Sequence, residues 1–213
     1  YVYASHDIDP PRGCDLMDRY HVFSTDDMVN WTDHGEILNS SQVSWGRKDG
    51  GFMWAPDCAY RNGTYYFYFP HPSGDDWNNT WRVGIATSKH PAKDFTVQDK
   101  YIDMIGMEDD CYAMIDGMYY LSYADNHAEN GKGANRLNYA TSNSPLGPWT
   151  YQGVYLEPTG CDTSHRSIAE YNGEWYAFYH NCSISGRGNL RSICADKLYY
   201  NPDGTIKVVE QTK

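Results

Sequence analysis

Tyr65-Tyr66-Phe67-Tyr68-Phe69, entered through the turn Arg61-Asn62-Gly63 and followed by Val83-Gly84-Ile85-Ala86-Thr87-Ser88, is the stretch on which the fold turns. An aromatic run that short, led in by Asn-Gly and followed by a second β-rich run ending in Thr-Ser, predicts two antiparallel strands. The same grammar occurs four times. The other aromatic strands read Val2-Tyr3-Ala4-Ser5, Tyr119-Tyr120-Leu121-Ser122-Tyr123 and Trp175-Tyr176-Ala177-Phe178-Tyr179. Their partners read His21-Val22-Phe23-Ser24-Thr25, Leu137-Asn138-Tyr139-Ala140-Thr141-Ser142 and Ser192-Ile193-Cys194-Ala195-Asp196. The later units begin about 55 residues apart, near the period of a four-stranded propeller blade and too long for a leucine-rich or ankyrin repeat. An all-β propeller with about four visible repeats follows from that recurrence.

Turns punctuate each unit in the same way. Asp116-Gly117 and Asn172-Gly173 stand where Asn62-Gly63 stands, so an inner strand precedes each of those aromatic strands. These inner segments run from Trp54 to Tyr60, Glu108 to Met114 and His165 to Tyr171; the first unit has none, because the sequence opens one strand too late. Three units continue into an outer strand after a turn rich in Pro, Gly or Asp, as in Asn143-Ser144-Pro145-Leu146-Gly147-Pro148-Trp149. Ser24-Thr25-Asp26-Asp27-Met28-Val29-Asn30-Trp31-Thr32 is a near match to the Asp-box of sialidase-type propellers without its Gly, and is read as a turn whose Asp caps backbone donors while Trp31 packs between blades. Long polar connections at 10–18, 40–52, 71–81 and 125–135 are expected to form the rim of a binding face.

Composition narrows the partners. Twenty Tyr and seven Trp in 213 residues, with a mean hydropathy of -0.72, require aromatic surface that is partly wet, which suits flat, hydroxyl-rich ligands. A net charge of -11 with no basic stripe argues against nucleic acid, and no apolar run reaches the length of a membrane-spanning helix. Six scattered cysteines make no CxxC or Cys/His zinc pattern; several fall in strands, as buried thiols do, which favours a reducing, cytoplasmic compartment. Sequons at Asn30, Asn39, Asn62, Asn78 and Asn181 point to secretion, so localisation stays open. Tyr1 begins inside a strand pattern with no leader or initiator Met, and a fragment or processed product is expected.

Inner strands of a propeller converge on its central channel, so polar residues at their starts are the candidates for chemistry. They are Asp57, the cluster Glu108-Asp109-Asp110 and His165, with Arg191 before the last partner strand. Two carboxylates and an Arg over an aromatic floor suit glycoside hydrolysis, which needs one acid for the leaving oxygen and one base for water. Each also has a structural reading: Asp57 as a strand cap, the acidic cluster as a solvated turn, His165 as a hydrogen-bonded core residue, Arg191 as a partner for any carboxylate. Trp54 is either core or a stacking platform for a sugar ring.

With these residues placed, the chain resembles glycoside hydrolase family 43, five-bladed propellers acting on arabinofuranosides and xylosides. The resemblance rests on Tyr-Val-Tyr-Ala-Ser-His-Asp (1–7), Phe-Ser-Thr-Asp-Asp-Met-Val-Asn-Trp-Thr-Asp-His-Gly (23–35), Met-Trp-Ala-Pro-Asp (53–57), Asn-Ser-Pro-Leu-Gly-Pro-Trp (143–149), His-Arg-Ser-Ile (165–168) and Trp-Tyr-Ala-Phe-Tyr-His (175–180), in that order. It implies an inverting glycosidase of α-L-arabinofuranosidase or β-xylosidase type on plant polysaccharide chains, with a base Asp, a pKa-tuning Asp and an acid Glu on three inner strands. The base strand has no counterpart in this sequence, and neither Asp7 nor Asp9 matches its motif. Between Lys100 and Tyr119 the family has two inner strands and this chain has one segment, so the resemblance implies a single domain over 1–213 lacking the first inner strand and about one blade near 100–118. Counting back from Tyr119 makes Glu108 the acid, whereas reading forward makes Asp109 the tuning residue of the third blade. The resemblance further implies substrate contacts by Trp54, Asp57, Arg191 and His165. It requires no cofactor and allows a structural calcium at His165. An alternative is a glycan-binding propeller without catalysis.

Overall fold

The computed structural model describes residues 1–6, 14–27, 29–76, 80–102, 107–115, 117–125, 135–161, 163–188 and 190–212, with the backbone alone at 14 and over 107–115. Strands β1 (Val2–Ser5), β2 (Arg19–Ser24) and β3 (Thr32–Asn39) form one sheet; β4 (Asp57–Arg61), β5 (Thr64–Pro72), β6 (Trp81–Ser88) and β7 (Thr96–Val97) form the second. A third contains β8 (Met107–Ile115), β9 (Met118–Asp125), β10 (Arg136–Ser142) and β11 (Thr150–Leu156), and a fourth β12 (Arg166–Tyr171), β13 (Glu174–Asn181) and β14 (Ser192–Leu198). Within every sheet the spatial order follows the chain, as in the up-and-down meander of a blade.

The turns do what their residues require. Asn62 and Gly63 both take positive φ, at 48° and 75°, and close the β4–β5 hairpin on the pair Arg61↔Thr64. Asn172 and Gly173 repeat this at 53° and 81°, on the pair Tyr171↔Glu174. Two successive left-handed residues give the primed turn whose twist matches paired strands, and Asn-Gly reaches it at little steric cost. The second inner strand begins at Asp57 rather than Trp54, because Pro56 has no N–H to donate to a ladder. The fourth sheet's inner strand likewise begins one residue after His165.

Two compact units divide the chain, Tyr1–Tyr112 and Ala113–Lys213. In the first, Tyr20, Val22 and Leu38 from the first sheet share a core with Phe67, Phe69 and Ala86 from the second. In the second, Tyr120, Leu137, Tyr139, Tyr155 and Leu156 share a core with Ala177, Tyr179 and Leu198. Each core is therefore built between two sheets of one unit, and each large side chain buried there contributes roughly 1.5–3 kcal/mol.

In the turn 24–32, the Asp27 carboxylate accepts from the amides of Asn30 (2.7 Å) and Val29 (2.8 Å) and from the Asn30 side chain (2.7 Å). These bonds, the Asn30 amide first, hold its pKa far below the usual carboxylate range. Asp27 is the cap the sequence suggested. Trp31, however, remains 48% exposed instead of packing away, because the turn places it on the outer edge of its sheet.

Candidate functional site

The sequence candidates fall at strand starts, where a propeller-type sheet presents its polar groups. In the first unit the segment before β4 is pinned from two sides: the Tyr20 hydroxyl donates to the Trp54 carbonyl (2.7 Å), and the Met53 amide donates to the Met17 carbonyl (2.8 Å). Asp57 opens β4 with Oδ1 accepting from the Cys58 amide at 2.8 Å, so one carboxylate oxygen has the capping role that the structural reading gave it.

Trp54 does not stand alone. Its ring lies 4.4 Å from that of Trp81 and 5.7 Å from that of Phe52, and Phe52 meets Trp81 edge-on at 5.9 Å. The Arg47 guanidinium sits 5.3 Å above the Phe52 ring. Phe52 holds this position with φ at 57°, after Gly50 at 66° and Gly51 at 75°. Three consecutive left-handed residues ending on a bulky aromatic are uncommon, and such conformations persist where the surroundings impose them. At Gly51 the close approach is absolute, since a Cβ there would lie 1.9 Å from the Asp15 carbonyl oxygen. Sequence reading missed Phe52, Trp81 and Arg47; the Gly50-Gly51 pair directly before an aromatic was the available signal.

His71 is fully buried, and its Nε2 accepts from the Arg47 amide at 3.3 Å. Burial, reinforced by the Arg47 charge, pushes its pKa down to about 4, so the ring is neutral. Gly46 makes room for it, because a Cβ there would stand 2.5 Å from Nε2.

In the second unit the candidates His165 and Arg191 lie around Thr163 and His180. The His180 ring donates from Nε2 to the Thr163 carbonyl (2.8 Å), Arg191 donates from Nη1 to the Thr163 hydroxyl, and the His165 ring lies 5.9 Å from that of His180. Burial lowers the His180 pKa, and the neighbouring Arg191 and His165 act in the same direction. His180 and Thr163 were not singled out from the sequence, although His180 ends the quoted Trp-Tyr-Ala-Phe-Tyr-His run. A buried acid was also missed: Asp125 Oδ2 lies 2.8 Å from both Nε and Nη2 of Arg136 and 3.0 Å from Asn138 Nδ2. Donors placed in this way are what keep a buried carboxylate tolerable.

The structure thus joins Trp54 to Asp57 through one segment and His165 to Arg191 through Thr163, the first group in one unit and the second in the other. Glu108 and Asp109 lie on β8, where their side chains are outside the described residues. A calcium at His165 would need six to eight oxygen ligands; the ring beside His165 is the His180 imidazole, at 5.9 Å. Among the described residues no three His, Cys, Asp or Glu side chains converge as metal ligands.

Comparison with known proteins bears on the family and the fold. The family model for glycosyl hydrolases family 43 matches residues 1–111. A xylosidase/arabinosidase of Bacteroides ovatus is 27% identical over 309 aligned residues, covering 99% of this chain and 91% of that protein. Because this chain has 213 residues, at least 96 positions of that alignment (309 less 213) face no residue of it. Among solved structures, RS223 β-xylosidase is 28% identical with a TM-score of 0.53, covering 96% of this chain and 90% of its own. A β-xylosidase/α-arabinofuranosidase from a compost microbial metagenome, solved with xylotriose in a calcium-free form, is 27% identical with a TM-score of 0.50, covering 97% and 89%. The four meander sheets are blades of the β-propeller type those enzymes share. With a matched model over more than half its length and four sheets in blade order, this chain belongs to glycosyl hydrolases family 43.

Proposed function

We propose that this chain is a glycosidase releasing arabinofuranosyl or xylosyl residues from plant polysaccharide-derived chains by single displacement with inversion. The observation that carries this reading is the wall of Phe52, Trp54 and Trp81 beside Asp57, within the part of the chain that the family model matches. A half-buried Trp braced by a second Trp offers a pentose ring an apolar face, while strand-start carboxylates reach its hydroxyls. Glu108 is assigned as the general acid, protonating the leaving oxygen; Asp109 is the rival if the segment is a third-blade strand. An inverting pair stands about 6.5–9.5 Å apart, with water between the base and the anomeric carbon. His165 and Arg191 contribute donors to substrate hydroxyls, Arg191 oriented by Thr163. Substrate is a neutral oligosaccharide or polysaccharide rather than nucleic acid, in keeping with the net charge of -11. No step is assigned to a metal.

The 96 or more positions of the Bacteroides ovatus relative that face no residue of this chain exceed one repeat of about 55 residues, in keeping with the loss of a blade, which the sequence places near 100–118. That loss removes one family inner strand with its carboxylate, so the assay belongs on the chain as it stands. Aryl α-L-arabinofuranoside and aryl β-xyloside are the substrates, with the anomer of the released sugar read by NMR. Release with inverted configuration, reduced at least about 100-fold by Glu108→Gln but not by Asp109→Asn, is expected. Loss in Asp109→Asn alone would move the acid–base machinery to Asp109; binding without turnover would overturn the enzyme reading for this chain.

A further inference from the structure

Cys161 lies in the connection between β11 and β12, and Cys182 stands one residue beyond the end of β13. The Cys182 thiol donates to the Gly160 carbonyl at 3.2 Å. That carbonyl is part of the peptide plane leading into Cys161, so covalent geometry places the Cys182 sulfur no more than about 6 Å from the Cys161 Cα. The neighbouring Cys182 thiol adds to the burial that pushes the Cys161 thiol up. Contacts on either side keep the segments together: the Asn135 side chain donates to the Cys161 carbonyl at 3.3 Å, and His180, two residues before Cys182, donates to the Thr163 carbonyl at 2.8 Å. Two free thiols held at this range are placed to pair, a disulfide requiring Cα atoms 4.4–6.8 Å apart.

From this juxtaposition we infer that Cys161 and Cys182 form a redox couple that closes into a disulfide on meeting a low-molecular-weight disulfide such as oxidised glutathione. Cys182 reacts first because it is half-buried, whereas Cys161 is 8% exposed and its thiol is pushed up by burial. The Cys182 thiolate attacks one glutathione sulfur, forming a mixed disulfide and expelling one glutathione thiolate. The Cys161 thiolate then attacks the Cys182 sulfur, forming the internal bond and expelling the second. The two cysteine protons end on the two glutathione thiols, and the glutathione disulfide supplies the two-electron oxidation. The resulting loop, 161–182, contains Thr163, so the bond fixes the residue that orients His180 and Arg191. Cys58 and Cys194 serve as internal controls: Cys58 lies on β4, in the other unit, and the Cys194 thiol faces the Ser192 carbonyl.

Reduced full-length chain is treated with oxidised glutathione, the remaining thiols are alkylated, and peptides are mapped by mass spectrometry beside a thermal melt. A loss of two mass units, a 161–182 cross-linked peptide and a Tm rise of about 5–10 °C reversed by dithiothreitol are expected. Cys182→Ser abolishes both the cross-link and the Tm rise; Cys161→Ser leaves a lasting glutathione adduct on Cys182. Because the buried Cys161 site tolerates change less well, the half-buried Cys182 variant carries the test if Cys161→Ser fails to fold. A glutathione adduct that persists on Cys182 in the unaltered chain, a cross-link to any other cysteine, or full alkylation after oxidation would each overturn the couple.

Discussion

The second and fourth sheets are spelled alike and buried unlike. Tyr65-Tyr66-Phe67-Tyr68-Phe69 on β5 and Trp175-Tyr176-Ala177-Phe178-Tyr179 on β13 both sit between an Asn-Gly turn and a partner strand. On β5, Phe67, Tyr68 and Phe69 are all fully buried, so both faces of that strand are covered. On β13, Ala177 and Tyr179 are buried on one face, while Phe178 is 36% exposed on the other and its same-face neighbour on β14, Ile193, is 88% exposed. Alternation along a strand says which residues share a face. Whether that face meets another layer is settled by chain distant in sequence.

The widest separation between the two sheets is expected at their central rings. Phe69→Ala removes a ring packed against Tyr20, Trp45 and Phe67 and should cost about 3–5 kcal/mol in urea unfolding. A loss below about 1 kcal/mol would mean the β5 core is not the anchor of its unit. Next in size is pH. His71 is held neutral with a pKa of about 4, below the 6.5 of the unfolded chain. The unfolded state therefore binds the extra proton between those values, so His71's contribution is complete above about pH 6.5 and roughly 3 kcal/mol is lost as pH falls towards 4. Urea midpoints stepped across that range should show the slope, and His71→Asn should flatten it.

A smaller effect tests fit instead of burial. Gly84 lies opposite Phe69 in the ladder, and a Cβ there would stand 2.3 Å from the ring. Gly84→Ala should cost about 1–3 kcal/mol by overpacking. The smallest effect belongs to the fourth sheet: Ile193→Ser should change stability by no more than about 0.5 kcal/mol, since the side chain is already in water. A loss of 2 kcal/mol or more there would show that the open face of the fourth sheet is covered in solution.

The β4–β5 and β12–β13 hairpins were legible in the sequence because Asn-Gly pairs carry their backbone geometry with them. So was the capping role of Asp27, which depends on residues two and three positions away. The candidate site was legible only in part. Trp54, Asp57, His165 and Arg191 announce themselves as polar or aromatic residues at strand starts. Phe52 is marked only by the Gly50-Gly51 pair before it, and His71 by nothing local, because its role comes from burial beside Arg47, which no short motif records.

By itself the sequence determined the all-β class, the strand order within each sheet and the family, because turn chemistry and two-residue periodicity are local properties repeated along the chain. Tertiary structure alone decided which aromatic faces are buried, which ring braces Trp54, and that Cys161 and Cys182, twenty-one residues apart in number, share one carbonyl neighbourhood. Those outcomes depend on which surfaces meet through space, and a surface is assembled from residues that the linear order keeps apart.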